Sequence, residues 1–266
     1  MTNEILAKSK ELVKGRWWKL FGTYLLGMVI SGVAGGILGG IGGVLPKVIG
    51  WIFTILAPAI LGLFMGLGLV KYFYDAAHNE EKLVTIFWGF TNPKAVLNYF
   101  VATLLIGCTA FVVGIVTGLV AMIPFIGVII ALVAYVFYII VLLLYVMYEY
   151  EILEGKGPVE SLKASKEISK GHKLFIFWTP IKVCLIPLII YLVGVITLAC
   201  SAASTVVALA NESATSAIGG GIGSLIGGIV TLVGFVWLLI LMPRLELIMP
   251  LMYDKLKEIK ETDIVE

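Results

Sequence analysis

Long apolar runs alternate along this chain with short polar stretches that hold nearly all of its charge. The runs cover residues 20–45, 48–70, 95–123, 125–148 and 174–210, and a last one extends from residue 218 to 253. Residues 20–45 contain no charged side chain over 26 positions, about 39 Å as an α-helix, enough to cross a bilayer with some tilt. Turns fall at Pro46-Lys47, at Pro124 and at Asn211-Glu212-Ser213. The run 174–210 exceeds one bilayer thickness, so part of it is expected to protrude or to bend at Pro180 and Pro187. The last run is expected to be broken at Pro243 and Pro250. The pattern predicts an all-α fold, a polytopic transmembrane helical bundle of six spans in three hairpins, forming a single integral membrane domain over residues 1–266.

The polar stretches carry their own helical signal. Residues 2–18 place Ile5, Leu6, Leu12, Val13 and Trp17 near one helical face, with Lys8, Lys10, Glu11 and Lys14 elsewhere. This is an amphipathic lead helix suited to the headgroup region, with Trp17 and Trp18 anchoring its end at the interface; a charged helix in water is the plainer alternative. In 71–94, Leu83, Val84, Phe87 and Trp88 form a second apolar stripe, and Gly157-Pro158 opens a third helix in 149–173. With a constant offset of 156, Ser9-Lys10-Glu11-Leu12 falls on Ser165-Lys166-Glu167-Ile168, and Lys14-Gly15 falls on Lys170-Gly171. The hairpins end alike, in Tyr72-Phe73-Tyr74-Asp75, Tyr148-Glu149-Tyr150-Glu151 and Met252-Tyr253-Asp254. Repeat-like units are therefore expected at 1–75, 76–151 and 152–254, followed by a charged tail, 255–266.

Charge adds orientation. The segments 1–19, 71–94, 149–173 and 254–266 hold 16 of the 19 Lys and Arg residues, whereas the opposite turns hold only Lys47. The positive-inside rule then puts both termini and the lead helices in the cytoplasm. The balance of 19 basic against 17 acidic residues gives no reason to invoke nucleic acid. A share of 60% hydrophobic residues is too apolar for a water-soluble domain. Ser31-Gly32-Val33-Ala34 has the small residues of a signal-peptidase site, but the apolar run continues to Leu45, so the segment reads as an uncleaved first span. Cys108, Cys184 and Cys200 all lie within apolar runs, as small hydrophobes rather than a disulfide framework.

Three ionisable residues interrupt the spans: Lys182, Arg244 and Glu246. They form the candidate intramembrane polar site, because a charge at such depth calls for a partner. The alternative is that Lys182 and Arg244 snorkel to lipid phosphates while Glu246 neutralises one of them. Gly27, Ser31, Gly35 and Gly39 in the first span and Gly219, Gly223 and Gly227 in the sixth form lines of small residues at every fourth position. Such ridges let helices approach closely, within one chain or between chains; a pore lined by glycine backbone is the sharper alternative. The lead-helix residues Lys10, Glu11, Lys14, Gly15, Lys166, Glu167, Lys170 and Gly171 form a candidate docking motif.

Catalytic, metal and cofactor signals are not found. His78 and His172 both lie in polar stretches, and no H-E-x-x-H or Walker A sequence occurs. Gly221-Ile222-Gly223-Ser224 resembles an intramembrane serine-protease motif faintly and lacks a histidine in any span to serve as base. Glu80-Glu81 resembles the paired glutamates of membrane prenyl-type proteases, again without intramembrane histidines. An enzyme is not expected.

Tyr148-Glu149-Tyr150, the stretch Gly157 to Lys166, and Lys170-Gly171-His172-Lys173-Leu174-Phe175 together resemble a loop of a bacterial integral membrane family of unknown function. Ala7-Lys8 through Lys14-Gly15-Arg16-Trp17 is similar to that family's lead segment. The family is itself distantly similar to the membrane domain fused to some bacterial glycerophosphodiester phosphodiesterases. The chain departs from the pattern where Ile168-Ser169 replaces an apolar pair, and these residues contain no phosphodiesterase catalytic sequence. The resemblance implies a bacterial plasma-membrane location and a topology, but no substrate. The expected function is a small transport or export component, alone or as the membrane subunit of a larger pump. The alternative is a non-transporting scaffold or immunity-type protein that binds another membrane component. Its partners are the lipid bilayer and either a second copy or another membrane or cytosolic protein.

Overall fold

The computed structural model describes residues 1–123, 126–210 and 214–265, and they form helices and turns with no strand among them. Eleven α-helices follow one another: α1 (Thr2–Val13), α2 (Trp17–Val44), α3 (Lys47–Trp51), α4 (Ala57–Ala77), α5 (Trp88–Thr91), α6 (Pro93–Ala121), α7 (Ile126–Leu142), α8 (Tyr148–Leu153), α9 (Pro158–Ser169), α10 (Lys173–Ala210) and α11 (Ala214–Val265). A π-helical turn, Ile52–Leu56, joins α3 to α4, and a 3₁₀ turn, Leu83–Phe87, precedes α5. Among the described residues, five helices are long and apolar enough to cross a membrane: Trp17–Val44, Lys47–Ala77, Pro93–Ala121, Lys173–Ala208 and Ile218–Thr262. Their outward faces carry exposed Val33, Ile37, Phe111, Ile186 and Leu232, the surface that lipid and not water would cover. The protein is a multi-pass helical membrane protein.

The remaining apolar run behaves differently from expectation. Instead of a full span over 125–148, it supplies α7 alone, 17 residues or about 25 Å. Beyond α7 the chain tightens into turns, in which Leu144 N–H bonds to the Val141 carbonyl and Tyr145 N–H to that of Leu142, and Ser165 of α9 holds the backbone of that turn. The Ser165 hydroxyl accepts from Met147 N–H at 3.1 Å and donates to the Leu144 carbonyl at 3.1 Å. A second difference concerns the prolines. Pro180 and Pro187 lie inside an unbroken α10, and α11 runs through Pro243 and Pro250 into the charged tail as one helix of 52 residues. The expected turns at Pro124 and Asn211-Glu212-Ser213 lie outside the described residues.

The 156-residue offset extends from letters to backbone. Lys14 ends α1 at φ −61°, ψ 122°, and Lys170 ends α9 at φ −64°, ψ 128°. Gly15 and Gly171 follow at φ +79° and +86°, a region that a side chain enters only with strain. Arg16 N–H then bonds to the Val13 carbonyl as His172 N–H bonds to that of Ser169. Buried positions match as well: Ser9 with Ser165, Leu12 with Ile168, Leu20 with Ile176, and Thr23 with Thr179.

The polar stretch 71–94 is a poorer copy of the other two lead segments. Leu83, Val84 and Phe87 of its expected apolar stripe are exposed, whereas Ile86 is fully buried. The physical reason is local. The Ile86 carbonyl lies against Gly68, and Gly89 lies against the Phe64 carbonyl, so this turn meets α4 through glycine-sized gaps.

The described chain divides into two compact units, residues 1–177 with 246–266, and residues 178–245. In the first unit, α2 packs on α4, and α6 on α7, α8 and α9. Its fully buried side chains, among them Tyr72, Phe73, Met147, Ile152, Leu247 and Tyr253, gather at the charged ends of the helices. The second unit is formed by the parts of α10 and α11 within residues 178–245, which meet where Gly223 faces Ser201, Gly227 faces Leu198, and Gly234 faces Tyr191.

Candidate functional site

In the first unit the three repeated endings converge. The rings of Tyr74, Tyr150 and Tyr253 meet pairwise, with centroids 5.9, 6.4 and 5.2 Å apart. Each tyrosine is followed by an acid, and each acid has a basic partner. Asp75 pairs with Lys71, Glu151 with Lys156, and Asp254 with His78 at 3.2 Å. Glu151 is wholly buried, and its Oε1 has no hydrogen-bond partner among the described residues. The junction is pinned from outside by Lys257 to Glu154 at 2.6 Å and by Lys260 to Glu167 at 2.7 Å.

One position departs from the likeness of the three endings. Phe73 and Met252 each precede their repeat's junction tyrosine and are buried. The corresponding residue of the second repeat is Glu149, a carboxylate where the other two copies have an apolar side chain. It is half-buried, and the Tyr99 hydroxyl donates to its Oε1 at 3.2 Å. Tyr99 stacks on Tyr148 at 5.8 Å, and the hydroxyls of Tyr148 and Thr103 bond at 2.9 Å. Tyr72 and Thr23 make the matching bond in the first repeat at 3.2 Å.

Burial pushes the Glu149 carboxyl up to about 7, with the Glu246 charge adding to it, while hydrogen bonds from Tyr99 and Tyr148 act in the opposite direction. Burial also carries Tyr148 to about 12, and the Tyr150 hydroxyl is raised well above its ordinary value by burial and then by Glu149, Glu246 and Asp254. These tyrosines therefore stay neutral near the Glu149 carboxyl and, for Tyr150, in the field of Glu246. Such a cluster can take up and release a proton near neutral pH. Glu81 is the contrasting acid. Burial pushes it up, but its backbone hydrogen bond and the cations of Lys19 and Arg16, both 3.1 Å away, hold it below the usual carboxylate range.

Of the expected polar trio, the structure places Glu246 in the first unit within electrostatic reach of Glu149, and Lys182 and Arg244 in the second unit, Lys182 exposed and Arg244 half-buried. Of the expected packing glycines, Gly27 lies against Leu69, Gly35 against Pro58, Gly223 against Ser201 and Gly227 against Leu198, while Gly39 and Gly219 face open space. Among the lead-helix residues, Lys10, Glu11, Lys14, Lys166, Glu167 and Lys170 are exposed, and Gly15 and Gly171 shape the helix ends. Glu149, Tyr99, Tyr148 and Thr103 were missed as site residues. The available signal was the carboxylate standing at an otherwise apolar place in the aligned endings. No group of three His, Cys, Asp or Glu side chains among the described residues is placed to hold a metal ion. No family model, no curated protein and no solved structure matches this chain.

Proposed function

We propose that this membrane protein is a small transport or export component, working alone or as the membrane subunit of a larger pump, with Glu149 and Glu246 as its proton-exchanging element. The observation that carries the reading is Glu149 itself, a carboxylate set among tyrosines where the sister repeats place Phe73 and Met252. An ionisable group held in such a wall is costly, and proton relays are one common use of it. On this reading the lead helices face the cytoplasm of a bacterial cell, and their lysines offer a docking surface for a cytosolic partner.

The test is proton movement into liposomes loaded with a pH-sensitive dye, driven by a potassium diffusion potential. Wild-type protein is expected to carry protons, and Glu149→Gln is expected to reduce the rate at least tenfold while inserting normally. Equal rates in wild type, Glu149→Gln and empty liposomes would sink the proposal.

A scaffold role has its own support. Gly32, Gly36, Gly40 and Gly43 of α2 face open space, a ridge on which a further helix could pack. Mass spectrometry of material co-purified in mild detergent separates the two readings. A stoichiometric ATPase supports the pump subunit, whereas another membrane protein that is lost on Gly36→Leu supports the scaffold.

A further inference from the structure

Where α6, α7 and α9 meet, the first unit has an apolar cavity of about 470 Å³. Its walls are Leu105, Ile106 and Val113 from α6 and Val141 and Leu142 from α7. Lys163 and Lys166 of α9 stand at one end, three residues apart and so on one face of their helix. A second apolar cavity of about 330 Å³ shares Val113, Tyr138 and Val141 with the first and continues along α6 to Thr117. From Leu105 to Thr117 the combined groove runs about 18 Å along the helix, at least the ~15 Å of hydrocarbon in one leaflet.

We propose that this groove binds one anionic phospholipid, its acyl chain along α6 and α7 and its phosphate against Lys163 and Lys166. Several features favour this occupant. Among the described residues, no carboxylate lines either cavity. Glu167, the acid next to Lys166, is engaged by Lys260, and neither Lys163 nor Lys166 forms an ion pair among the described residues. The lysines sit beside the end of α7, where the apolar helix gives way to the turn at 143–147, so the charge lies at the polar boundary of the groove. The Thr109 and Tyr138 hydroxyls, 3.5 Å apart inside the apolar stretch, offer one polar point below the head, at the level of an ester carbonyl. Basic pockets between membrane helices are a known setting for acidic headgroups.

The experiment is native mass spectrometry of the full chain, delipidated in detergent and titrated with phosphatidylglycerol or with phosphatidylcholine of the same acyl chains. One phosphatidylglycerol is expected to stay bound at energies that strip phosphatidylcholine. The exposed double variant Lys163→Gln/Lys166→Gln is expected to lose that preference, with retention falling about tenfold or more. Ile106→Trp, which fills the groove, is expected to lose both lipids. Equal retention of the two lipids by wild type would overturn the proposal, as would an unchanged preference in the lysine variant. If Ile106→Trp instead converts a dimer to a monomer with lipid retention unchanged, the groove seats a second copy and the lipid assignment falls.

Discussion

At the charged end of the first unit, Tyr74, Tyr150 and Tyr253 fill a junction with large side chains and surround it with ion pairs. In the second unit, α10 and α11 meet with almost nothing between them, and a Cβ added at Gly227 or Gly234 would lie 2.5 Å from a backbone nitrogen of the opposite helix. The two regions answer different solvents. Where water is near, burying an aromatic ring removes apolar area from it, about 4 kcal/mol for a ring of some 150–200 Å² before entropy is charged. Between lipid-facing helices that drive is absent, because hydrocarbon surrounds both states, and close backbone contact supplies dispersion instead. The first unit therefore concentrates chemistry at a side-chain junction, while the second is a close-packed strut.

The comparison can be broken most severely at the junction. Tyr253→Ala leaves a large cavity among fully buried neighbours and is expected to cost about 4 kcal/mol, read as loss of monodisperse protein after heating in detergent. Tyr253→Phe keeps the ring and is expected to cost far less; equal losses would mean that the hydroxyl and not packing holds the junction. In the second unit, Gly227→Leu is expected to cost about 3 kcal/mol by forcing α10 and α11 apart, measured in the same heating assay. Gly228→Leu points into open space and is expected to be nearly neutral. If the two variants behave alike, the backbone contact is not what joins the pair.

Smaller effects sharpen the electrostatic side of the contrast. Because the folded Glu149 carboxyl titrates at about 7 against an ordinary 4.5, the folded state binds its proton more tightly than the unfolded chain. Wild-type stability should then fall as pH rises from about 4.5 to about 7 and stay low above it. Glu149→Gln should remove that slope and be the more stable protein at pH 8, by about 2 kcal/mol after allowance for partial exposure. Thermal midpoints taken across that range check it, and parallel pH profiles would contradict it. Glu81 runs the opposite way, its carboxylate contributing stability that is present above its ordinary value and lost as pH drops below the depressed one. Arg16→Met should cost about 1 kcal/mol at neutral pH and less in high salt, since Lys19 remains as a partner.

Much of this architecture could be read from the chain. The runs 20–45, 48–70 and 95–123 became α2, α4 with its π-helical lead, and α6, because unbroken apolar sequence of that length has few other ways to satisfy its backbone in lipid. The match of Lys14-Gly15 with Lys170-Gly171 was legible in the letters, and the structure adds a positive φ at both glycines. The run 125–148 gives a shorter helix than expected, and the hydroxyl that holds the turn after it, Ser165, comes from another helix, which the local pattern does not show. The stripe Leu83, Val84, Phe87 is left exposed while Ile86 is buried, because the glycine gaps at Gly68 and Gly89 decide which side of the turn faces α4. The polar trio mixed residues of both units, and Glu149 entered the reading of the sequence only as a letter of the shared ending Tyr148-Glu149-Tyr150-Glu151.

Sequence alone determined that this is a helical, multi-pass membrane protein with repeated lead helices, since hydropathy, period and glycine placement are local properties that neighbouring residues settle among themselves. Tertiary structure decided that Tyr74, Tyr150 and Tyr253 meet, that Glu149 stands beside Tyr99 and in the field of Glu246, and that Lys163 and Lys166 head an apolar groove. Those outcomes depend on residues tens to nearly two hundred positions apart being brought within a few ångströms. A carboxyl's proton affinity follows from the dielectric and the charges that such contacts create around it.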